Sequence, residues 1–372
     1  MIPRGERTRL PQGSSVGFYL MGATRVRLLV SLEWVILAFW GLWRLIRIVA
    51  EDFWVESSLS APDQVINWVG RRPDFFIVGA PKCGTTALDV FLNQHPEIFM
   101  SRRKESHFFA SDMPGTAHIR DPNRFNELFS GVCNEKRVGE ASVWHLASKE
   151  AALNIHRFNP DALIIVMLRN PVEMIPSLHS QLIFEGYEDV RDLRRALRLE
   201  TARREGLHVP KTAPVPAQLQ YRSAATYAPQ LRRYLDLFGR DRVHVILYDD
   251  FAKDPDRVFS KLLEFLGVDP RFRPEFSRVN ANKVVGSLFL RDLLKNPPNW
   301  IRRMVRYAIP GQRFRHGLIR RLEKINVKEM PRNATDADLI EALRKEFLEA
   351  NRELSSLIGR DLSSWNHPDT LG

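Results

Sequence analysis

Residues 75–86 read FFIVGAPKCGTT. An apolar run enters a glycine; Lys82, Cys83, Gly84, Thr85 and Thr86 follow, and Leu88, Phe91 and Leu92 then fall on one face of a helical repeat. A buried strand that turns through glycines into a helix start makes an anion nest. The amides of the turn and of the first helical turn point at one place, the helix dipole favours negative charge there, and the two threonines add hydroxyls. Gly79 and Gly84 permit the tight path. In a nucleoside-triphosphate loop of the form GxxxxGKS/T, the lysine directly follows the second glycine. Here Thr85 follows Gly84, and Lys82 stands two residues before it. The lysine therefore reaches an anion from the other side of the turn.

Two further apolar runs, Leu163–Leu168 and Val243–Tyr248, alternate with segments of helical period from Pro73 onward. Continuous Val/Ile/Leu runs bounded by turns predict central parallel strands covered by helices on both faces. The expected fold is thus α/β: a P-loop-like open parallel sheet flanked by helices, with an N-terminal apolar helix in front of it. A kinase or NTPase needs magnesium, commonly held by an Asp at the end of a second strand. The run 163–168 ends in Arg169 instead, which binds phosphate directly and repels a metal. VHVILYDD (243–250) does carry a strand-plus-Asp signal, so a Mg-dependent P-loop kinase or NTPase stays open; Asp249 and Asp250 can equally cap a helix starting near Lys253.

The loop APKCGTTAL resembles the 5′-phosphosulfate loop of sulfotransferases that use 3′-phosphoadenosine 5′-phosphosulfate (PAPS). LIIVMLRNPVEMIPSLHSQ resembles their 3′-phosphate element, with Arg169 and, eight residues later, Ser177. RRKESHFF (102–109) resembles a KE-x-HFF segment of the branch that holds heparan sulfate glucosamine N- and O-sulfotransferases and their bacterial relatives. The resemblance implies Glu105 as catalytic base, with His107 supporting it and Lys82 stabilising the leaving group. It implies donor binding by Lys82, Cys83, Gly84, Thr85, Thr86, Arg169 and Ser177, without a metal. In isolation Glu105 also reads as a helix cap or solvated charge, and His107 as a structural histidine. GEASVWHL (139–146) resembles an acceptor-pocket segment, departing from it at Val143 and His145. Asn280–Lys283 resembles a C-terminal cofactor loop, which makes Lys283 a phosphate contact, and GRDLSSW (359–365) resembles the closing segment of bacterial members. The implied function is transfer of a sulfuryl group from PAPS, released as PAP, to a hydroxyl or less readily an amine of a carbohydrate or glycolipid acceptor.

The organisation expected is a polar basic tail (1–27), an apolar helix (28–50), a linker (51–72) and the sulfotransferase domain (73–368). With 44% hydrophobic and 27% charged residues the chain is globular, and its net charge of +11 favours an anionic partner. LLVSLEWVILAFWGLW (28–43) falls short of the about 20 apolar residues of a spanning helix and contains Glu33. Basic flanks and tryptophans suit a helix lying on a membrane surface. Cys83 in a phosphate loop is badly placed for a bridge with Cys133, so two free thiols and a reducing compartment are expected. Together these predict a membrane-associated protein with a cytoplasmic catalytic domain. A single-pass type II protein with its domain in a Golgi-like lumen is the alternative. Residues 205–220 are Pro-rich and read as a surface loop, possible lid of the site. The basic stretch 296–321 leaves a third reading, a membrane- or nucleic-acid-binding module. Arginine-rich helices more often present a solvated face, so no nucleic-acid partner is expected. The ten histidines and two cysteines show no metal-ligand spacing, and nothing in the sequence gives the oligomeric state.

Overall fold

The computed structural model describes residues 70–276 and 336–367, apart from 114, 116 and 117, together with Trp68 and the backbone of two short strands, 283–285 and 327–329. The tail, the apolar segment 28–50, nearly all of the linker and the basic stretch 296–321 lie outside the described residues.

Five strands make one sheet: β1 (Phe75–Gly79), β2 (Ile98–Met100), β3 (Arg137–Ala141), β4 (Leu163–Leu168) and β5 (Val243–Leu247). Their order is β2-β3-β1-β4-β5, and every neighbouring pair is parallel. The three apolar runs seen in the sequence are β1, β4 and β5. All five residues of β1 are buried, as a strand with a partner on each side and helices on both faces requires. β2 and β3 carried no such signal: one is three residues long, and the other, RVGEA, has a charge at each end of its apolar centre.

The helices follow the turn chemistry of their sequences. Helix α1 (Thr85–Leu92) leaves β1 through Gly84, whose φ of 93° suits glycine. Asn170 caps α2 (Pro171–Glu185), accepting from the Val172 amide, with Pro171 in the first turn. α3 (Tyr227–Phe238) packs on β4 and β5. After β5 a short helix, α4 (Tyr248–Lys253), precedes α5 (Pro255–Leu266). Asp254, not Asp249 or Asp250, caps α5 by accepting from the Arg257 amide. The two earlier aspartates bond elsewhere: Asp249 accepts from the Trp365 indole and Asp250 pairs with Arg360. The long α6 (Ala337–Ile358) lies against α2 and α3 and ends at Gly359.

The Pro-rich stretch 205–220 is only in part the surface loop expected. Its second half folds into a 3-10 turn (Pro216–Leu219) with Val215, Gln218 and Leu219 buried. A buried salt bridge, Arg203–Glu188, and the Tyr221 hydroxyl donating to Glu188 sit beneath it. Most of that half is buried, with Pro216 exposed, whereas residues 205–208, Lys211 and Thr212 face solvent.

Gly139 shows how tightly β3 fits. It pairs with Phe75, and a Cβ there would stand 2.2 Å from the Phe75 ring and 2.6 Å from the Met100 sulfur. Overpacking of this kind costs about 1–3 kcal/mol or more. Gly139→Ala is expected to lower the denaturant midpoint by at least that equivalent; an unchanged midpoint would mean the β1–β3 contact is looser than described.

Candidate active site

In a parallel sheet the loops at the carboxyl ends of the strands share one edge, and the crevice opens where neighbouring loops run apart. Here that edge collects the 79–85 turn after β1, the segment that docks on the end of β3, Arg169 after β4 and Tyr248 after β5. Residues far apart in sequence are thereby brought side by side.

The 79–85 turn is anchored by the Ala80 amide, which donates to the Met167 carbonyl of β4 (2.7 Å). Lys82 adopts a left-handed φ of 64°, an arrangement that turns successive amides to one side. No side chain caps the N-terminus of α1 and no acid lies in its first turn. Its leading amides are therefore left without a side-chain cap at this edge, with Thr85 buried and Thr86 half-buried beside them. Cys83 contributes only backbone. Its side chain is fully buried, Sγ 3.4 Å from the Pro81 carbonyl and 4.0 Å from the Tyr227 hydroxyl. Burial pushes the thiol up to about 12.

Arg169 is buried and held on several sides. Its Nε (2.9 Å) and Nη2 both donate to Glu173 Oε2, one turn along α2. The guanidinium lies 4.4 Å from the Tyr248 ring centroid, in cation–π range. Nη1 is 3.5 Å from the Lys82 carbonyl, so the β4 corner abuts the phosphate turn. The Tyr227 hydroxyl donates to the Arg169 carbonyl (3.0 Å). Ser177 lies two turns into α2 and is buried. Lys283 opens the strand 283–285, which pairs antiparallel with 327–329; its side chain lies outside the described residues.

Glu105 and His107 occupy one strained loop, with φ of 63° and 50°. The Glu105 amide donates to the carbonyl of Ala141, the last residue of β3 (2.8 Å). Glu105 Oε2 accepts from the Val143 amide (3.0 Å) and lies 3.3 Å from His107 Nε2, while Oε1 pairs with Lys104. Its side chain keeps 34% exposure, so a carboxylate oriented by three donors still reaches solvent. His107 is buried, and burial, reinforced by the charges of nearby groups, lowers it to about 2. That burial favours the neutral ring, and Nε2 is the nitrogen that faces the carboxylate. Arg120 holds this loop from outside, donating to the carbonyls of His107, Phe108, Ala110 and Met113.

Behind His107 the interior is polar. Glu140, fully buried, accepts at Oε1 from Ser106 (2.7 Å) and Ser142 (2.6 Å), and its Oε2 is 3.6 Å from His145 Nδ1. Burial raises Glu140 to about 7 and lowers His145 to about 3. Val143 and His145, the departures from the acceptor-pocket pattern, are both buried and pack behind the loop.

A family model for the sulfotransferase domain matches residues 72–300. The chain belongs to the sulfotransferase family. A crystal structure of a sulfotransferase from Alicyclobacillus acidocaldarius is 33% identical, covering 80% of this chain and all of that one, with a TM-score of 0.60. Mouse carbohydrate sulfotransferase 15 is 24% identical over 250 residues, 53% of this chain and 44% of that protein. Human heparan sulfate glucosamine 3-O-sulfotransferase 6 is 27% identical over 218 residues, 58% of each. The sulfotransferase thus spans about half the length of the curated relatives it matches.

The expected cytoplasmic, membrane-held placement is corrected. The curated relatives matched include carbohydrate sulfotransferase 15, and no helix among the described residues is long and apolar enough to cross a membrane. The thiol argument fails on physical grounds as well. Cys83 is sealed in the core and Cys133 is exposed, so both are free because of packing and carry no information about redox compartment.

Several residues that shape the site were not singled out from the sequence: Glu173, Tyr227, Tyr248 and Arg120. Of these only Glu173 had a signal, its i,i+4 spacing from Arg169 at the start of a helix. Tyr227 and Tyr248 act across the fold, and Arg120 reaches back along its own loop at spacings that mark no pattern.

The buried histidines set an acid dependence. His145 takes a proton near its ordinary 6.5 when unfolded and only near 3 when folded. As pH falls below 6.5 the unfolded chain therefore binds the proton the folded one refuses, and stability declines by up to about 1.4 kcal/mol per pH unit for this residue. Glu140, raised to about 7, works in the opposite sense between about 4.5 and 7. The stability of His145→Gln is expected to fall less steeply than wild type between pH 6 and 4.5, by about that slope. Identical slopes would show that His145 is charged in the fold.

Proposed function

We propose that this protein transfers the sulfuryl group of PAPS to a hydroxyl, or less readily an amine, of a carbohydrate or glycolipid acceptor. The observation that carries the reading is the shared edge. A nest of uncapped amides with Lys82 beside it, a buried arginine at the neighbouring strand end, and a carboxylate oriented toward solvent all lie on one side of the sheet. Two separate anion sites on adjacent βα units suit a nucleotide phosphorylated at both ends.

In this reading the amides of Gly84, Thr85 and Thr86, the Cys83 amide and Lys82 hold the 5′-phosphosulfate, while Arg169 and Ser177 take the 3′-phosphate. The strand at Lys283 is a further candidate contact. PAPS supplies an activated sulfuryl group whose bridging oxygen leaves with the bonding electron pair. Glu105 removes the acceptor proton as the new sulfur–oxygen bond forms, since a neutral hydroxyl is a weak nucleophile. Lys82 and the nest neutralise the charge that grows on the departing phosphate oxygen. His107, neutral and donating through Nε2, keeps Glu105 aimed. The exposed Arg102 and Arg103, with Lys104, put positive charge beside the base, which favours an anionic glycan. Similarity to relatives named for carbohydrate and heparan sulfate glucosamine sulfation supports that acceptor class.

The displaced Lys82 and the Arg169–Glu173 corner weigh against the kinase reading. PAP is expected to raise the melting temperature where ATP with magnesium does not; stabilisation by ATP-magnesium alone overturns the proposal. Glu105→Gln is expected to lose about 10²–10⁴-fold in kcat with PAP affinity kept. Full activity in that variant removes Glu105 from the base role.

A further inference from the structure

The closing segment of the chain returns to the corner where Arg169 sits. Residues Ser363–Asn366 form a 3-10 turn after α6, and Trp365 in it is 2% exposed. Trp365 makes two polar contacts with different strand ends. Its carbonyl accepts from Asn170 Nδ2 (3.2 Å), the residue next to Arg169 and the cap of α2. Its indole Nε1 donates to Asp249 Oδ2 (2.8 Å), the residue next to Tyr248, whose ring lies under the Arg169 guanidinium. One residue thus joins the end of β4 to the end of β5, one link lying next to Arg169 itself and the other next to Tyr248, which touches it. Further bonds fasten the strap itself: Arg360 pairs with Asp250, and Asn366 accepts from Asn351 of α6.

We propose that Trp365 is a positioning residue for the 3′-phosphate end of the donor, fixing the spacing between the Arg169 backbone and the Tyr248 ring so that the guanidinium is held ready. The inference rests on the donor reading above. Glu173 fixes one edge of the guanidinium from within α2. The Tyr248 ring belongs to another strand end, and its place under the cation depends on what ties β5 to β4 beyond the ladder. The Trp365–Asp249 bond is such a tie.

The test uses full-length protein and compares PAP with AMP, which lacks the 3′-phosphate, by calorimetric titration. Trp365→Phe keeps the ring and removes the indole donor; Asp249→Ala removes the acceptor and leaves Trp365 in place. Each is expected to weaken PAP about tenfold with AMP affinity unchanged, and the double variant to lose no more than either one, because both delete one bond. Arg169→Ala in the same assay removes the preference for PAP. Equal loss of PAP and AMP affinity, or no loss in Asp249→Ala, overturns the role of Trp365 while leaving the donor reading intact. A wild-type protein that binds PAP no more tightly than AMP overturns the donor reading itself, and this inference with it.

Discussion

Everything at the site depends on the parallel pairing of β1 with β3 on one side and β4 on the other. Because all five strands run the same way, each delivers its following loop to the same edge, and the centre of that edge falls at β1. The phosphate turn therefore has the loop of Glu105 on its β3 side and Arg169 on its β4 side. Neither neighbour is close in sequence. The fully buried FFIVG strand suits that central place, since it presents no charge to the helices on either face.

The parts of this design that were legible in the sequence were those that act locally. The glycine-bounded turn, the lysine before Gly84 and the strand ending in Arg169 are each contained in a dozen residues, so pattern and chemistry could be read together. β2 and β3 escaped because a short strand, and a strand with a buried glutamate, lack the continuous apolar signal. The roles of Asp249 and Asp250 were misread for a related reason: helix capping is a local rule, but their partners, Trp365 and Arg360, lie more than a hundred residues away. Tyr248 and Tyr227 touch Arg169 only because β5 and α3 pack where they do, and no spacing in the chain announces it. His145, a departure from the acceptor-pocket pattern, belongs to the buried layer behind the loop of Glu105 and His107.

The charged groups of the site are held in place before any ligand arrives. Arg169 is clasped by Glu173, Glu105 by Lys104, His107 and the Val143 amide, and the loop carrying them by Arg120. Such pairing lowers the reorganisation needed when charge develops, which is how fixed dipoles and ions outperform water as a solvent for a reaction. The buried Glu140, with two serine donors on one oxygen, extends this ordering a layer deeper. A polar interior is costly unless its partners are satisfied, and this one lies directly behind the loop that carries Glu105 and His107.

Cys83 gives the phosphate turn an internal chemical clock. Thiol-modifying reagents attack the thiolate, and this sulfur is both screened from solvent and held almost wholly protonated at neutral pH. It becomes reactive only when the turn between β1 and α1 lifts away from Tyr227. The pace of its labelling, set against that of exposed Cys133, therefore times how often the turn after β1 opens, and a ligand held in that turn should slow it. A residue with no chemical part in the turn thus records the breathing of the segment on which catalysis is proposed to depend.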